Sequence, residues 1–237
     1  NGAINTAIVK VFDMTVATAG TASKHLKAAG INHIVSTNHS GSHAGYYPGA
    51  KQMTIQIAFS PEDGRLYSAQ IAGYDGVDKR IDIIASVIKN KGTIYDLTEF
   101  EHAYAPPYSS AKDPVNMAGF IAENILLDRL NIFYWNDLGD SDDNSYLLDV
   151  RTVKEFEAGH IEGAVNIPVD EIRQRLHEIP QAKRIDIYCE AGLRGYLANR
   201  ILRQNGFNEV FNLSGGYVLW NACTKETELE KTVSMRP

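Results

Sequence analysis

Residues 189–195 of the chain read Cys189-Glu190-Ala191-Gly192-Leu193-Arg194-Gly195. An apolar run from Arg184 to Tyr188 precedes them, and a helical pattern extends from Leu193 to about Asn205. This order predicts a strand, a short turn and a helix, with the cysteine where the strand ends. Unpaired N–H groups of the turn and of the first helical turn point inward, and the helix dipole is positive at that end. The segment therefore predicts a site that stabilises an anion.

The residue types within this segment indicate sulfur chemistry. A cysteine in such surroundings favours its thiolate form, which is the nucleophilic form of the side chain. Gly192 lets the backbone turn without a Cβ clash, and Arg194 adds a forked cation at the rim. The backbone N–H groups from Glu190 to Gly195 would complete a cradle for the charge. The alternative is a buried cysteine that only packs at the end of the strand.

Three motifs in the second half of the chain resemble those of the rhodanese family, and they follow one another in that family's order. The first comprises Asp149-Val150-Arg151, Glu155-Phe156, Gly159-His160-Ile161, Gly163-Ala164 and Asn166-Ile167-Pro168; the second is Cys189 to Arg194; the third is Asn212-Leu213-Ser214-Gly215-Gly216, with Trp220 after it. The resemblance implies a sulfurtransferase in which Cys189 carries sulfur as a persulfide and Arg194 stabilises the charge. Related phosphatases have one more residue between the cysteine and the arginine, which disfavours phosphatase or arsenate reductase chemistry here.

Strands and helices alternate through residues 133–237, which predicts an α/β domain with a parallel sheet and helices on both faces. The predicted strands are Phe133–Leu138, Tyr146–Val150, Ala164–Ile167, Arg184–Cys189 and Glu209–Asn212; the predicted helices are Val153–Ala158, Asp170–Glu178, Leu193–Asn205 and Tyr217–Cys223; residues 139–145 are predicted to form an acidic turn. Sites in such sheets lie beyond the carboxyl ends of the strands, where Cys189 falls. Asp149 and Arg151 are expected to brace neighbouring loops by an ion pair, with direct substrate binding as the alternative. Trp220 and Cys223 are expected to pack.

Residues 1–108 carry a different pattern and predict an α+β domain, in which helices cover an antiparallel sheet. The predicted strands are Ala3–Val16, Ile31–Thr37, Thr54–Phe59 and Leu66–Ala72; the predicted helices are Thr21–Ala29, Val77–Lys91 and Asp96–His102. Pro61-Glu62-Asp63-Gly64 forms the turn of a predicted hairpin. Residues 109–132 are predicted to be a linker that contains a helix from Val115 to Leu130.

Residues 1–108, which include Ala103–Tyr108, and the following Ser110–Asn116 resemble the C-terminal dimerisation domain of FAD-dependent pyridine nucleotide–disulfide reductases. They are most similar to the coenzyme A-disulfide reductase branch, which includes persulfide reductases and NADH oxidases. The resemblance implies a homodimer through residues 1–108, in which Tyr46 and Tyr104 reach the partner's active site and stabilise a departing thiolate. The alternatives are that these tyrosines only pack at the interface, or that Tyr47 takes the place of Tyr46. His102 departs from the His–Glu pattern of glutathione-reductase relatives, so no acid–base role is assigned to it.

Composition limits the possible functions further. The chain has 237 residues and a formal charge of −6, which argues against a nucleic-acid surface. No apolar run approaches the roughly 20 residues of a membrane span, and no secretory signal opens the chain. Its 2 cysteines are far apart and its 7 histidines lack metal-ligand spacing, so neither a disulfide framework nor a metal site is expected. A reducing, cytoplasmic location suits a thiol mechanism.

No Gly-x-Gly-x-x-Gly follows a strand, and no cysteine precedes Cys189. The FAD- and NAD(P)H-binding domains and the flavin-side cysteine are therefore expected upstream in a longer protein, and the present chain, which begins without Met, is expected to be a fragment without reductase activity of its own.

Coenzyme A is a candidate ligand of the whole protein, and no cofactor is expected on the rhodanese domain. The expected partners are low-molecular-weight persulfides or disulfides of coenzyme A or glutathione. The alternative is a non-catalytic docking or regulatory module on an NADH oxidase-like flavoprotein.

Overall fold

The computed structural model describes residues 3–138 and 145–234, and side chains are described up to residue 225. The chain divides into two units between Leu127 and Asp128. Most of the predicted acidic turn, residues 139–144, lies outside the described residues.

The first unit is a five-stranded antiparallel sheet with helices, which confirms the predicted α+β fold. The strands lie in the order β1-β2-β5-β4-β3. Their bounds are β1 Ala7–Val11, β2 Met14–Gly20, β3 Ile34–Gly41, β4 Gln52–Phe59 and β5 Leu66–Gly73; the helices are α1 Ser23–Ala28, α2 Val77–Lys89, α3 Ile94–Glu99 and α4 Pro114–Leu126. Helix α4, which was predicted as part of a linker, packs against α3 and β3 in this unit.

The core of the first unit follows from alternation on the strands and from the apolar stripe of α2. Ile55 and Ile57 on β4, together with Ile71 on β5, are almost fully buried. Ile81 and Ile84 on α2 belong to the same hydrophobic cluster. Each such side chain stabilises the fold by about 1.5–3 kcal/mol relative to leaving it exposed. The cluster therefore fixes α2 on the sheet.

The prediction of one strand from Ala3 to Val16 is wrong. The structure has a hairpin, in which Val11 pairs with Met14 across a turn formed by Phe12 and Asp13. Phe12 takes a positive φ of 52° and is 95% exposed. Neither Gly nor Asn occupies the turn, and the alternation of residue types continues through it. The sequence therefore does not indicate that the chain changes direction there.

The second unit is a five-stranded parallel sheet with helices, which confirms the predicted α/β fold. The strands lie in the order β6-β10-β9-β7-β8. Their bounds are β6 Asn131–Phe133, β7 Ser145–Asp149, β8 Val165–Asn166, β9 Arg184–Tyr188 and β10 Val210–Leu213; the helices are α5 Val153–Ala158, α6 Leu193–Gln204 and α7 Gly216–Ser234. Strand β9 therefore lies at the centre of the sheet.

Two local predictions in the second unit are wrong. The region from Asp170 to Glu178 forms tight turns and a short 3₁₀ helix at Leu176–Glu178, since its backbone bonds largely span three residues. The i, i+3 spacing of such turns resembles a helix in sequence. The predicted strand Phe133–Leu138 ends early, because the Asp137 carboxylate accepts a hydrogen bond from the Tyr134 N–H and closes a 3₁₀ turn.

Shortening a side chain on the central strand tests the burial of β9 in the second unit. Ile187 on β9 is fully buried, so Ile187→Ala should lower the free energy of unfolding by about 2–5 kcal/mol. Val153 at the start of α5 is 52% exposed, and Val153→Ala should change it by less than about 0.5 kcal/mol. Urea unfolding of both variants measures the difference, and equal losses would contradict the burial of β9.

Candidate active site

Cys189 lies directly after β9, at the carboxyl edge of the parallel sheet. Its Sγ accepts a hydrogen bond from the N–H of Gly192, with an N–S distance of 3.1 Å. Gly192 has a φ of 117°, a conformation that residues with a side chain rarely adopt. Cys189 is only 2% exposed, so very little of it meets solvent in this conformation.

The start of α6 supplies further N–H groups beside the sulfur. The first i to i−4 bond next to this end runs from the Tyr196 N–H to the Gly192 carbonyl, at 2.9 Å. The N–H groups of Leu193, Arg194 and Gly195 come before it and have no partner within the helix. The positive end of the helix dipole adds to their effect on an anion. The loop thus has the strand–turn–helix geometry that the sequence predicts.

Arg194 forms a bidentate ion pair with Glu155 of α5. Its Nη1 and Nη2 donate to the two carboxylate oxygens at 2.7 and 2.6 Å. The hydrogen bonds from Arg194 lower the pKa of Glu155 to about 2, against the effect of burial and with help from Thr152. The guanidinium is thus held in place by a carboxylate.

Glu155 belongs to the first sequence motif, but no local pattern indicates that it pairs with Arg194. The signal that could have identified it is the capping-box spacing of Thr152 and Glu155 at the start of α5. Because Glu155 completes the capping box of α5, its carboxylate is held in place at the point that the Arg194 side chain of α6 reaches. The two partners are 39 positions apart in the chain, so local sequence patterns do not indicate that they pair.

Arg151 is the buried centre of a second charge cluster. Its guanidinium donates to both oxygens of Asp149, at 2.8–3.1 Å, and to Glu190 Oε2 at 3.1 Å. It also donates to the Gly159 carbonyl at 2.7 Å and lies over the Tyr217 ring at 4.0 Å. Burial would lower the pKa of Arg151, but the hydrogen bonds to Asp149 outweigh it and raise the pKa. Glu190 of the active-site loop is thereby tied to the first motif.

The start of α7, which follows the third sequence motif, binds the carbonyl groups of the loop. The N–H groups of Tyr217 and Val218 donate to the carbonyls of Cys189 and Glu190, at 2.9 and 3.1 Å. A Cβ on Gly216 would approach both carbonyl oxygens to 2.7 Å, so a larger residue would displace the loop.

Asn212 holds the loop from the side of β10. Its Nδ2 donates to the Gly192 carbonyl at 3.2 Å. A Cβ on Gly195 would collide with its Oδ1, which explains a glycine at that position. Trp220 packs beside Tyr217, with ring centroids 5.4 Å apart, and lies with the aromatic cluster of this unit.

The structure brings Tyr46 and Tyr104 together in the first unit. Their hydroxyl oxygens are 2.8 Å apart, and the hydrogen bond with Tyr46 raises the pKa of Tyr104. Both side chains are largely exposed. Tyr47 instead packs edge-on against His43, with centroids 5.6 Å apart. Tyr46, and not its neighbour, is therefore the hydroxyl partner of Tyr104.

The His102 side chain is buried beside this region, and among the residues that the structure describes neither ring nitrogen has a hydrogen-bond partner. Its Nδ1 lies 3.8 Å from Asp113 Oδ2, and burial lowers its pKa despite that carboxylate. Within residues 3–138 and 145–234 no group of three or more His, Cys, Asp or Glu side chains is arranged to hold a metal ion. Among the helices of those residues, none is long and apolar enough to cross a membrane.

Comparisons with known proteins confirm both family resemblances. Residues 6–114 match the pyridine nucleotide-disulphide oxidoreductase dimerisation domain, and residues 134–223 match the rhodanese-like domain. Coenzyme A disulfide reductase of Staphylococcus epidermidis is 40% identical over 122 residues, which are 52% of this chain and 27% of that protein.

Two solved structures cover nearly all of the chain. The structure of reduced CoADR-RHD from Bacillus anthracis is 45% identical, with a TM-score of 0.91 over 94% of this chain and 40% of its own. The NAD-dependent persulfide reductase from A. fulgidus is 36% identical, with a TM-score of 0.83 over 92% of this chain and 39% of its own. The chain thus spans less than half the length of these relatives. It joins a dimerisation domain of the pyridine nucleotide-disulphide oxidoreductases to a rhodanese-like domain, and its close homologues include coenzyme A disulfide reductase and NAD-dependent persulfide reductase.

Proposed function

We propose that Cys189 carries sulfane sulfur as a persulfide, and that the rhodanese-like domain is the sulfurtransferase module of a longer coenzyme A-disulfide or persulfide reductase. The observation that carries this proposal is the Gly192 N–H directed at the Cys189 sulfur at 3.1 Å. This donor stands at the start of α6, where the remaining amides and the helix dipole also favour a negative charge.

The transfer proceeds in two displacements. The Cys189 thiolate attacks the outer sulfur of a persulfide R–S–SH, the donor's S–S bond breaks, and the leaving thiolate takes up the proton. Cys189 then bears the transferred sulfur as a persulfide, whose charge the loop amides stabilise. An acceptor thiolate attacks that outer sulfur, and the Cys189 thiolate leaves with the electron pair. Neither step changes the total number of electrons, so the module needs no cofactor of its own.

The charges around the loop favour a donor with little negative charge beside its reacting sulfur. Asp149, Glu155 and Glu190 supply three carboxylates, whereas Arg151 and Arg194 supply two guanidinium groups, and these groups pair with one another. One negative charge remains uncompensated, so a dianion such as thiosulfate is repelled. In a thiol persulfide of coenzyme A or glutathione the other charged groups lie away from the reacting sulfur, so such a persulfide is the preferred donor.

The first unit carries the other half of the proposal. In the whole protein, a homodimer formed through residues 1–108 would bring Tyr46 and Tyr104 to the partner's disulfide site, where a phenolic O–H stabilises a leaving thiolate. FAD and NAD(P)H would be bound by upstream domains that the matched relatives have room for. Reducing equivalents from that half would release sulfur from Cys189 as sulfide, in a reducing compartment such as the cytoplasm.

A second candidate is a non-catalytic rhodanese fold that docks or regulates. The observation that favours it is the 2% exposure of Cys189, which is the environment of a packing thiol. Chemical reactivity of Cys189 separates the two candidates.

Cyanolysis after loading with glutathione persulfide tests the sulfur carrier. Wild-type protein and Cys223→Ser should release thiocyanate, whereas Cys189→Ala should release none, because only Cys189 faces the amide cradle. Cys223 is the matched control, since it is the second of the 2 cysteines. Equal release from wild type and Cys189→Ala would contradict the proposal.

Charge removal at the rim tests the donor class. Glu190→Gln removes one negative charge from the loop and should raise kcat/KM for thiosulfate about tenfold, while the value for glutathione persulfide changes less than about threefold. Steady-state cyanide assays with both donors measure the ratio. Glu209→Gln, next to β10 at the opposite edge of the sheet, is the control and should change neither value. An unchanged ratio in Glu190→Gln would remove the electrostatic argument.

Tyrosine substitutions test the reductase half in the full-length protein. Tyr46→Phe or Tyr104→Phe should lower kcat/KM for coenzyme A disulfide by about 10²-fold, because each loses a donor to the leaving thiolate. NADH or NADPH oxidation reports the rate. Tyr47→Phe should keep kcat/KM near the wild-type value. A larger loss of kcat/KM in Tyr47→Phe than in Tyr46→Phe would show that Tyr47, and not Tyr46, is the donor.

A further inference from the structure

The contact between Tyr46 and Tyr104 joins two separate loops. Tyr46 lies between β3 and β4, and Tyr104 lies between α3 and α4. The side chains are 77% and 48% exposed, and a neutral hydrogen bond at the surface contributes little to the free energy of a loop conformation. Another interaction must hold the two loops at the distance that lets the hydroxyls meet.

Arg80 of α2 bonds to both loops. Its Nη2 donates to the Ser42 carbonyl at 2.8 Å, where the loop with Tyr46 begins. Its Nε and Nη2 donate to the carboxylate of Asp113 at 3.2 and 2.8 Å, where the loop with Tyr104 ends. Its Nη1 donates to the Gly76 carbonyl at 3.1 Å, which anchors the guanidinium to the start of α2.

Direct bonds between the loops extend this connection. The Ser109 Oγ donates to Asp113 Oδ2 at 2.5 Å, and the Ser109 carbonyl accepts from the Ala44 N–H at 2.9 Å. Asp113 also caps α4 by accepting from the Val115 N–H at 3.1 Å. The loop with Tyr46 is therefore bonded to the loop with Tyr104 through both side chain and backbone.

The residues of this network are buried away from solvent. Arg80 is 1% exposed, and Asp113 and Ser109 are fully buried. Burial would raise the pKa of Asp113, but the hydrogen bonds from Arg80 and Ser109 outweigh it and lower the pKa, so the carboxylate stays charged. A buried charge keeps its partners because losing one leaves the other uncompensated.

We propose that the buried Arg80–Asp113 pair is the positioning device for the Tyr46–Tyr104 hydroxyl pair, and that these two residues support thiolate release only through the tyrosines. The inference rests on the role proposed above for Tyr46 and Tyr104. It assigns Arg80 and Asp113 no contact with substrate.

Arg80→Lys in the full-length dimer tests this assignment. Lysine keeps a positive charge for Asp113 but lacks the planar fork that also reaches the Ser42 carbonyl. We expect kcat/KM for coenzyme A disulfide to fall about tenfold, and a crystal structure to show the tyrosine hydroxyls separated by more than about 3.5 Å, beyond hydrogen-bond distance. Ser109→Ala weakens the same network with a smaller change in volume and carries the test if Arg80→Lys fails to fold.

A double-mutant cycle separates positioning from general stability. In a Tyr46→Phe/Tyr104→Phe background, Arg80→Lys should lower kcat/KM by less than about twofold, since the groups it positions are gone. Asp96→Asn is the control for lost stability, because Asp96 closes the capping box of α3 and lies outside the network. It should lower the melting temperature and leave kcat/KM unchanged.

Three results would overturn the inference. A tenfold loss from Arg80→Lys that persists in the background without the tyrosine hydroxyls would show a role independent of them. A loss of the same size in Asp96→Asn would show an effect of stability alone. Full activity of the tyrosine variants themselves would remove the tyrosine role of the proposed function and this inference with it, whereas the first two results would remove only the inference.

Discussion

The hydrogen bond from the Gly192 N–H to the Cys189 sulfur is the interaction on which the candidate site depends. It requires a backbone conformation at Gly192 that few other residues adopt, with a φ of 117°. Distant parts of the chain hold that peptide in place, since Asn212 binds its carbonyl and the Gly216 turn packs under the loop. The three motifs of the second unit are therefore parts of one support for a single N–H group.

The arginines of the site are engaged before any substrate arrives. Arg194 is paired with Glu155, and Arg151 is paired with Asp149 and Glu190. Arg151 is buried, and a buried guanidinium without a partner would cost several kcal/mol, so its ion pairs are what allow this cation in the core. In the proposed transfer, the backbone amides of the loop are therefore the groups left to bind the negative charge of the sulfur.

The sequence allowed the fold of both units to be predicted because their periodicities are local properties. The strand–turn–helix around Cys189 likewise follows from residues within a short window. The Phe12 turn escaped prediction because no Gly or Asn marks it, and the partners of Arg194 and Arg80 escaped because they lie 39 and 33 positions away. Tertiary contacts of this kind depend on how the elements pack, which a single sequence does not reveal.

A sulfur carrier must contact its donor, and Cys189 is buried. The reactivity of Cys189 in the folded protein is therefore the most direct test of its proposed role. The measurement is peptide mass spectrometry of the folded, full-length protein after incubation with glutathione persulfide and trapping with iodoacetamide. We expect the Cys189 peptide to gain one sulfur atom and then the alkyl group, while the Cys223 peptide gains no sulfur. A Cys189 that takes up neither sulfur nor the alkyl group until the protein is unfolded would contradict it.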